Sequence, residues 1–309
     1  MNVSNNCSTT DLEPHPHVRL IELALYSLIF FFGALFNVLA FWVFFCKMKK
    51  WTETRVYVMN LVFADFSVIC TLPSMVYLLW NKSARGELCR FTETMYFINM
   101  LVSIYIISFI SIDRYIAIKH PLKARAFRSP SKAALLCGLL WVLVIVSATI
   151  QLGHRHTDIC FQTYTLPAAL SLLAIFFVFT LPLAILIFCS TEVIRNLKKH
   201  LNTNSPEEKS IHKAVHIIYA NLIVFLICFL PACLGLLSRF IMESVGATCF
   251  LLCVMKNLSS VMRCIATSNC CLDSVCYYFV TREFQEAFLQ PKASTQQPEA
   301  THPLQIETC

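Results

Sequence analysis

Charge is scarce in this sequence. Only 14% of its 309 residues are Asp, Glu, Lys or Arg, where a soluble globular chain carries about a quarter. So low a share of charge excludes an ordinary water-soluble domain. Glycine (6) and proline (12) are also few, which excludes collagen-like and low-complexity readings. The first 19 residues hold no apolar core of the kind a cleaved signal needs. Long apolar runs lack the two-residue alternation of a membrane barrel. No internal repeat is visible, which weighs against a repeat-built transporter. Neither His-Glu-x-x-His nor Gly-x-Ser-x-Gly occurs, so the chain is not expected to be an enzyme. No platform of interleaved basic and aromatic residues suits nucleic acid, and no nucleic-acid partner is expected.

What the chain does have is apolar surface. Hydrophobic residues reach 57%, with 25 phenylalanines, and mean hydropathy is +0.64. A helix crosses the hydrocarbon core with about 20 apolar residues. Leu23 to Cys46, Thr94 to Ile112, Ala133 to Gly153 and Leu166 to Ser190 are uncharged, and Ala214 to Ser238 carries only His216. Val56 to Asn81 encloses Asp65, and Asn257 to Thr281 encloses Arg263 and Asp273. The expectation is an all-α membrane protein, a bundle of seven transmembrane helices.

Basic residues orient it. Lys47, Lys49, Lys50 and Arg55 follow span one, and Lys119, Lys123, Arg125, Arg128 and Lys132 follow span three. Arg195, Lys198, Lys199, Lys209 and Lys213 follow span five. These loops are expected in the cytoplasm, with residues 1–19 extracellular, 20–280 forming the bundle, and 291–309, rich in Pro, Gln, Thr and Ala, a disordered cytoplasmic tail. The net charge of +7 is then a matter of topology. Asn2 and Asn6 each begin a glycosylation sequon on the outer side.

Most of the 16 cysteines lie within spans and read as small hydrophobes. Cys89 and Cys160 fall on the oxidising side, where a disulfide between them is expected. Cys7 is expected to bond Cys249, with Cys253 as the competing partner.

Polar residues inside spans point to function. Asn99 and Ser103 share a face of span three, as Asn269 and Asp273 do of span seven. With Asp65 they suit a small hard cation such as sodium; a hydrogen-bond network with one carboxyl protonated is the alternative. No other cofactor is expected. Asp113-Arg114-Tyr115 ends span three beside a basic loop, and its bland reading is a snorkelling arginine.

With these motifs in order, the chain resembles a rhodopsin-like (class A) G-protein-coupled receptor. Asn37 marks span one, Leu61-Val62-Phe63-Ala64-Asp65 span two, and Cys89 with Asp113-Arg114-Tyr115 span three. Trp141, Pro182 and Cys228-Phe229-Leu230-Pro231 mark spans four, five and six, and Asp273-Ser274-Val275-Cys276-Tyr277 is a variant of the span-seven motif. Trp51-Thr52-Glu53-Thr54-Arg55, Asn269-Cys270-Cys271-Leu272-Asp273 and Arg128-Ser129-Pro130 resemble a branch whose agonists are anionic: tryptophan-derived acids and lysophospholipids.

The resemblance implies roles. Asp113 holds Arg114 in the inactive state; no acid of span six assists, since the matching stretch reads Lys209-Ser210-Ile211-His212-Lys213. Ile104, Pro182 and Phe225 repack on activation, Phe229 stands where the family has tryptophan, Pro231 kinks span six, and Tyr277 swings towards Arg114. Residues 281–290, with Phe284 and Phe288 on one face, resemble the family's interfacial helix. The implied partners are a heterotrimeric G protein of the inhibitory or thirteen type, arrestin, receptor kinases and membrane lipid, at the plasma membrane.

The family holds its ligand in the outer half. There Tyr96, Arg155, Arg239, Lys256 and Arg263 are expected, a set favouring carboxylate or phosphate. Span three brings no buried acid to that half, which leaves an amine without a counter-ion. A peptide agonist or constitutive signalling is the alternative within the family; an ion or solute transporter is the alternative outside it.

Overall fold

A computed structural model describes residues 15–47, 51–81, 86–120, 122, 124, 128–153, 168–200, 206–245 and 248–280. Among them, seven helices are long and apolar enough to cross a membrane. They are α1 (Pro16–Cys46), α2 (Glu53–Trp80), α3 (Glu87–Lys119), α4 (Pro130–Ile150), α5 (Leu172–Asn196), α6 (Val215–Met242) and α7 (Cys249–Cys276). The chain is a multi-pass membrane protein. Residues 1–14 of the segment expected as extracellular N-terminus lie outside the described residues, with the expected interfacial helix, the tail and the sequon residues Asn2 and Asn6; residues 16–19 belong to α1.

Each helix sorts its residues by the 3.6 period. On α1, Tyr26, Ile29, Gly33, Asn37 and Ala40 are buried, while Leu28, Phe31, Phe32, Leu35 and Val38 are exposed. The exposed set is apolar because lipid is its solvent. Helix α3 is the axis of the bundle: 67% of its apolar 18-residue stretch is buried, against 28% for α4 and 22% for α5.

The helices outrun the uncharged stretches at several ends. Helix α1 starts at Pro16, whose missing N–H costs nothing in a first turn, and so takes in Arg19 and Glu22. Helix α3 runs to Lys119, so Asp113-Arg114-Tyr115 sits within the helix, a correction to its placement at the end. Backbone hydrogen bonding is indifferent to side-chain charge, so a charge count truncates helices.

Two widened turns have one cause. A proline clashes with the carbonyl four residues earlier and removes a hydrogen bond. Before Pro182 and Pro231, those carbonyls belong to Val178 and Ile227. Each lies inside a π-helical turn, Phe176–Thr180 and Phe225–Phe229, which relieves the clash.

In lipid, helices associate by close packing and interhelical hydrogen bonds. Gly33 lets α1 approach α7 and α2: an added Cβ would stand 3.3 Å from the Cys270 Sγ and from Ile69. Four residues on, the Asn37 amide donates to the carbonyls of Gly33 (2.9 Å) and Cys270 (2.7 Å) and accepts from the Ser274 hydroxyl at 2.9 Å. The Trp141 indole donates to Asn60 at 3.1 Å, tying α4 to α2. Asn37→Ala deprives Ser274 and the Cys270 carbonyl of their partner, so stability should fall by about 1–2 kcal/mol. The thermal midpoint of the purified protein in detergent measures this; an unchanged midpoint refutes the tie.

Candidate functional site

Three polar clusters occupy the bundle, one at mid-depth and one towards each end. The middle cluster is built by α2, α3 and α7. The Asn99 amide donates to Asp65 Oδ1 at 3.0 Å, and the Asn269 amide to Asp273 Oδ2 at 3.3 Å. All of these residues are buried, and Ser103 with them. The two carboxyls are close enough to feel each other's charge. Three oxygens lack a hydrogen-bond partner among the described residues: Asp65 Oδ2, Ser103 Oγ and Asn269 Oδ1. Orphaned buried acceptors beside two carboxyls fit a small hard cation held by oxygen donors. Among the described residues, no three His, Cys, Asp or Glu side chains gather as a metal site.

At the end that carries the basic loops, Asp113 is the hub. The structure adds a second arginine to its expected partner Arg114. Arg128 grips it bidentately, Nε to Oδ1 at 2.7 Å and Nη2 to Oδ2 at 2.9 Å, the strongest form of arginine–carboxylate pair. Arg114 lies 3.3 Å from Asp113 Oδ2 and donates to the Thr54 hydroxyl. Glu53 stands 3.5 Å from Arg128. Burial works against the Arg128 charge, but the hydrogen bond and charge of Asp113 outweigh it and hold the guanidinium above its ordinary pKa. Glu53 and Thr54 are in reach because Thr52 caps α2, its hydroxyl accepting from the Arg55 N–H. Arg55 also lies over the Trp51 ring at 4.0 Å. Tyr115 packs on Phe188, and Asn221 of α6 donates to Ser111 of α3 at 3.4 Å. The side chains of Tyr277 and of Lys209 to Lys213 lie outside the described residues.

Between these two clusters, Ile104, Phe225 and Phe229 are fully buried against one another with Phe179 and Leu186. Pro182 is buried beside them on α5. The Phe225 and Phe229 rings meet edge to face at 5.7 Å. Loosened turns on α5 and α6 thus face α3 at one level.

At the opposite end, α1 and α7 form a polar seam. Arg263 donates to Ser260 Oγ at 2.7 Å. Glu22 is only 2% exposed. Tyr96, the expected ligand residue of α3, is half-buried towards the same end. Lys256 is half-buried two turns before Arg263 on α7. Arg155 and the Arg239 side chain lie outside the described residues. Glu22 was missed: it directly precedes the uncharged run and reads as a flanking charge. It also corrects the view that this end has no acid for an amine, for α1 supplies what α3 lacks. Cys89 and Cys249 are disulfide-bonded, while Cys253 is a free thiol. The expected partners Cys160 and Cys7 lie outside the described residues.

The family model for the 7 transmembrane receptor (rhodopsin family) matches residues 36–277. The chain is 39% identical over 286 residues to G-protein coupled receptor 35 of Homo sapiens, covering 92% of this chain and 91% of that one. Identity to the Mus musculus receptor of that name is 36% over 309 residues, 98% of each chain. Lysophosphatidic acid receptor 6 of Gallus gallus is 31% identical over 296 residues, 90% of this chain and 94% of that protein. The relatives are receptors, and the buried Asn37, Asp65, Asp113 and Asp273 lie within the matched stretch: the chain belongs to the rhodopsin family of seven-transmembrane receptors.

Proposed function

We propose that this receptor senses a small anionic ligand at the Arg263 end of the bundle and activates a heterotrimeric G protein, of the inhibitory or thirteen type, at the Asp113 end. The Arg263 end then faces outward and the basic loops lie in the cytoplasm of a cell with the receptor in its plasma membrane. Arrestin and receptor kinases are the further partners. The observation that carries the reading is Arg263 itself: a guanidinium held within the bundle on Ser260, at a depth where charge is costly unless used. Lys256 adds a second cation on the same helix, and one relative is named for lysophosphatidic acid, itself an anion. Guanidinium and ammonium together suit a carboxylate or phosphate.

The path between the ends runs through the two proline-loosened turns. Pressure on Phe229 and Phe225 is relieved by swinging α6 away from α3, which loosens the Asn221–Ser111 contact and opens the surface around Arg114. Arg128 anchors Asp113 to the start of α4, so Asp113 is not held by Arg114 alone. Sodium would be held by Asp65, Asn99, Ser103, Asn269 and Asp273, supplying positive charge between two carboxyls.

Three experiments test this. Arg263→Ala should weaken acidic agonists by about 1.5–3 kcal/mol, the scale of a hydrogen bond to a charged group. The readout is G-protein activation in transfected cells challenged with acidic metabolites and lysophospholipids; unchanged potency at normal surface expression rejects the placement, and a response to neutral peptides alone favours a peptide ligand. Asp65→Asn should abolish inhibition of agonist binding by sodium, whereas equal sensitivity in mutant and wild type leaves only the hydrogen-bond network. Arg114→Ala should lower both basal and stimulated G-protein activation, and signalling at wild-type level would remove Arg114 from the mechanism.

A further inference from the structure

Beyond the Asp113 cluster, the end of α3 is tied to α5 at two successive levels. The Tyr115 ring packs on Phe188 of α5, with centroids 5.4 Å apart. One turn further along, the Lys119 ammonium is ion-paired with Glu192 Oε2. The step is four residues on each helix, so both contacts lie along one seam. Lys119 also stands 5.8 Å over the Tyr115 ring, which joins the two levels. The other oxygen of Glu192, Oε1, accepts from Arg195 at 2.9 Å. A cation thus engages each carboxylate oxygen, and the Glu192 side chain is only 14% exposed. Helix α6 meets α3 nearby through the neutral contact of Asn221 with Ser111 at 3.4 Å.

The place of Glu192 along α5 gives this pair leverage. It lies ten residues beyond Pro182, and so beyond the widened turn Phe176–Thr180. At the helical rise those ten residues form an arm of about 15 Å. A bend of about 10° at the turn then carries Glu192 roughly 2–3 Å, enough to part it from Lys119. The bend and the ion pair therefore oppose each other. Partly exposed pairs add little to stability, but a small bias is enough to shift a two-state equilibrium several-fold. Resting on the reading that this end activates a G protein, we propose that Lys119 and Glu192 form a latch that holds α5 on α3 in the conformation described here and sets the level of signalling without agonist.

Two readouts on the full chain in lipid nanodiscs, both without agonist, test the latch. One is amide hydrogen exchange in α5 beyond Pro182 with no G protein present. The other is guanine-nucleotide exchange on an added G protein of the inhibitory or thirteen type. Glu192→Gln and Lys119→Gln should each raise both by about threefold, the bias such a pair can supply. The charge swap, Lys119→Glu together with Glu192→Lys, should return both to the wild-type level, because the relocated acid again meets a cation across the seam with Arg195 beside it. A variant that is merely misfolded is not rescued by such a swap. Unchanged hydrogen exchange in Glu192→Gln overturns the proposal, as does a swapped variant as open as the single ones. Nucleotide exchange that is present but indifferent to these variants overturns it too. Nucleotide exchange absent from wild type and every variant, while hydrogen exchange responds, faults the G-protein reading instead.

Discussion

Inside this bundle a polar group has no water to turn to, and the rest of the structure follows from that constraint. Backbone groups are satisfied by making helices. Side chains must find one another across them, and where they do the helices are tied. Asn37 is the plainest case: one amide holds α1 to two points of α7 where Gly33 has already brought the helices close. Trp141 and Asn60 do the same for α4 and α2. Lipid-facing surfaces add little association energy, so these few ties carry weight beyond their number.

The same constraint makes each exception informative. Among the described residues, Asp65, Ser103 and Asn269 keep unpaired oxygens at mid-depth, and Glu22 keeps one on α1. Apolar residues of similar volume would pack at no such cost. The middle set is suited to a cation shared by two carboxyls.

Motion is built in by a different device. Pro182 and Pro231 each force the turn before them to widen, and both widened turns bear on Ile104 of α3 through Phe179, Phe225 and Phe229. A helix with a missing hydrogen bond bends there before it bends elsewhere. A bend of α5 or α6 is therefore easiest at this level, while Arg128, Asp113 and Glu53 brace the far ends of α2, α3 and α4.

The architecture was legible along the chain because the bilayer imposes a length and a hydropathy on anything that crosses it. Seven runs, their order and the polar residues within them needed no partner to be seen. Arg263 was visible because it interrupts an apolar run; Glu22 and Arg128 were not, because each sits just outside one and looks like any solvated flank. Such meaning comes from residues remote in sequence, as Asp113 and Glu53 give it to Arg128. The choice of Cys249 over Cys253 as the bonded thiol was likewise undecided by spacing. Sequence by itself determined the helices, since each satisfies its backbone from within and answers only to its own composition and solvent. Which charges meet was decided by tertiary structure alone, because pairing depends on how helices rotate and approach, and that is settled by packing between segments distant in the chain.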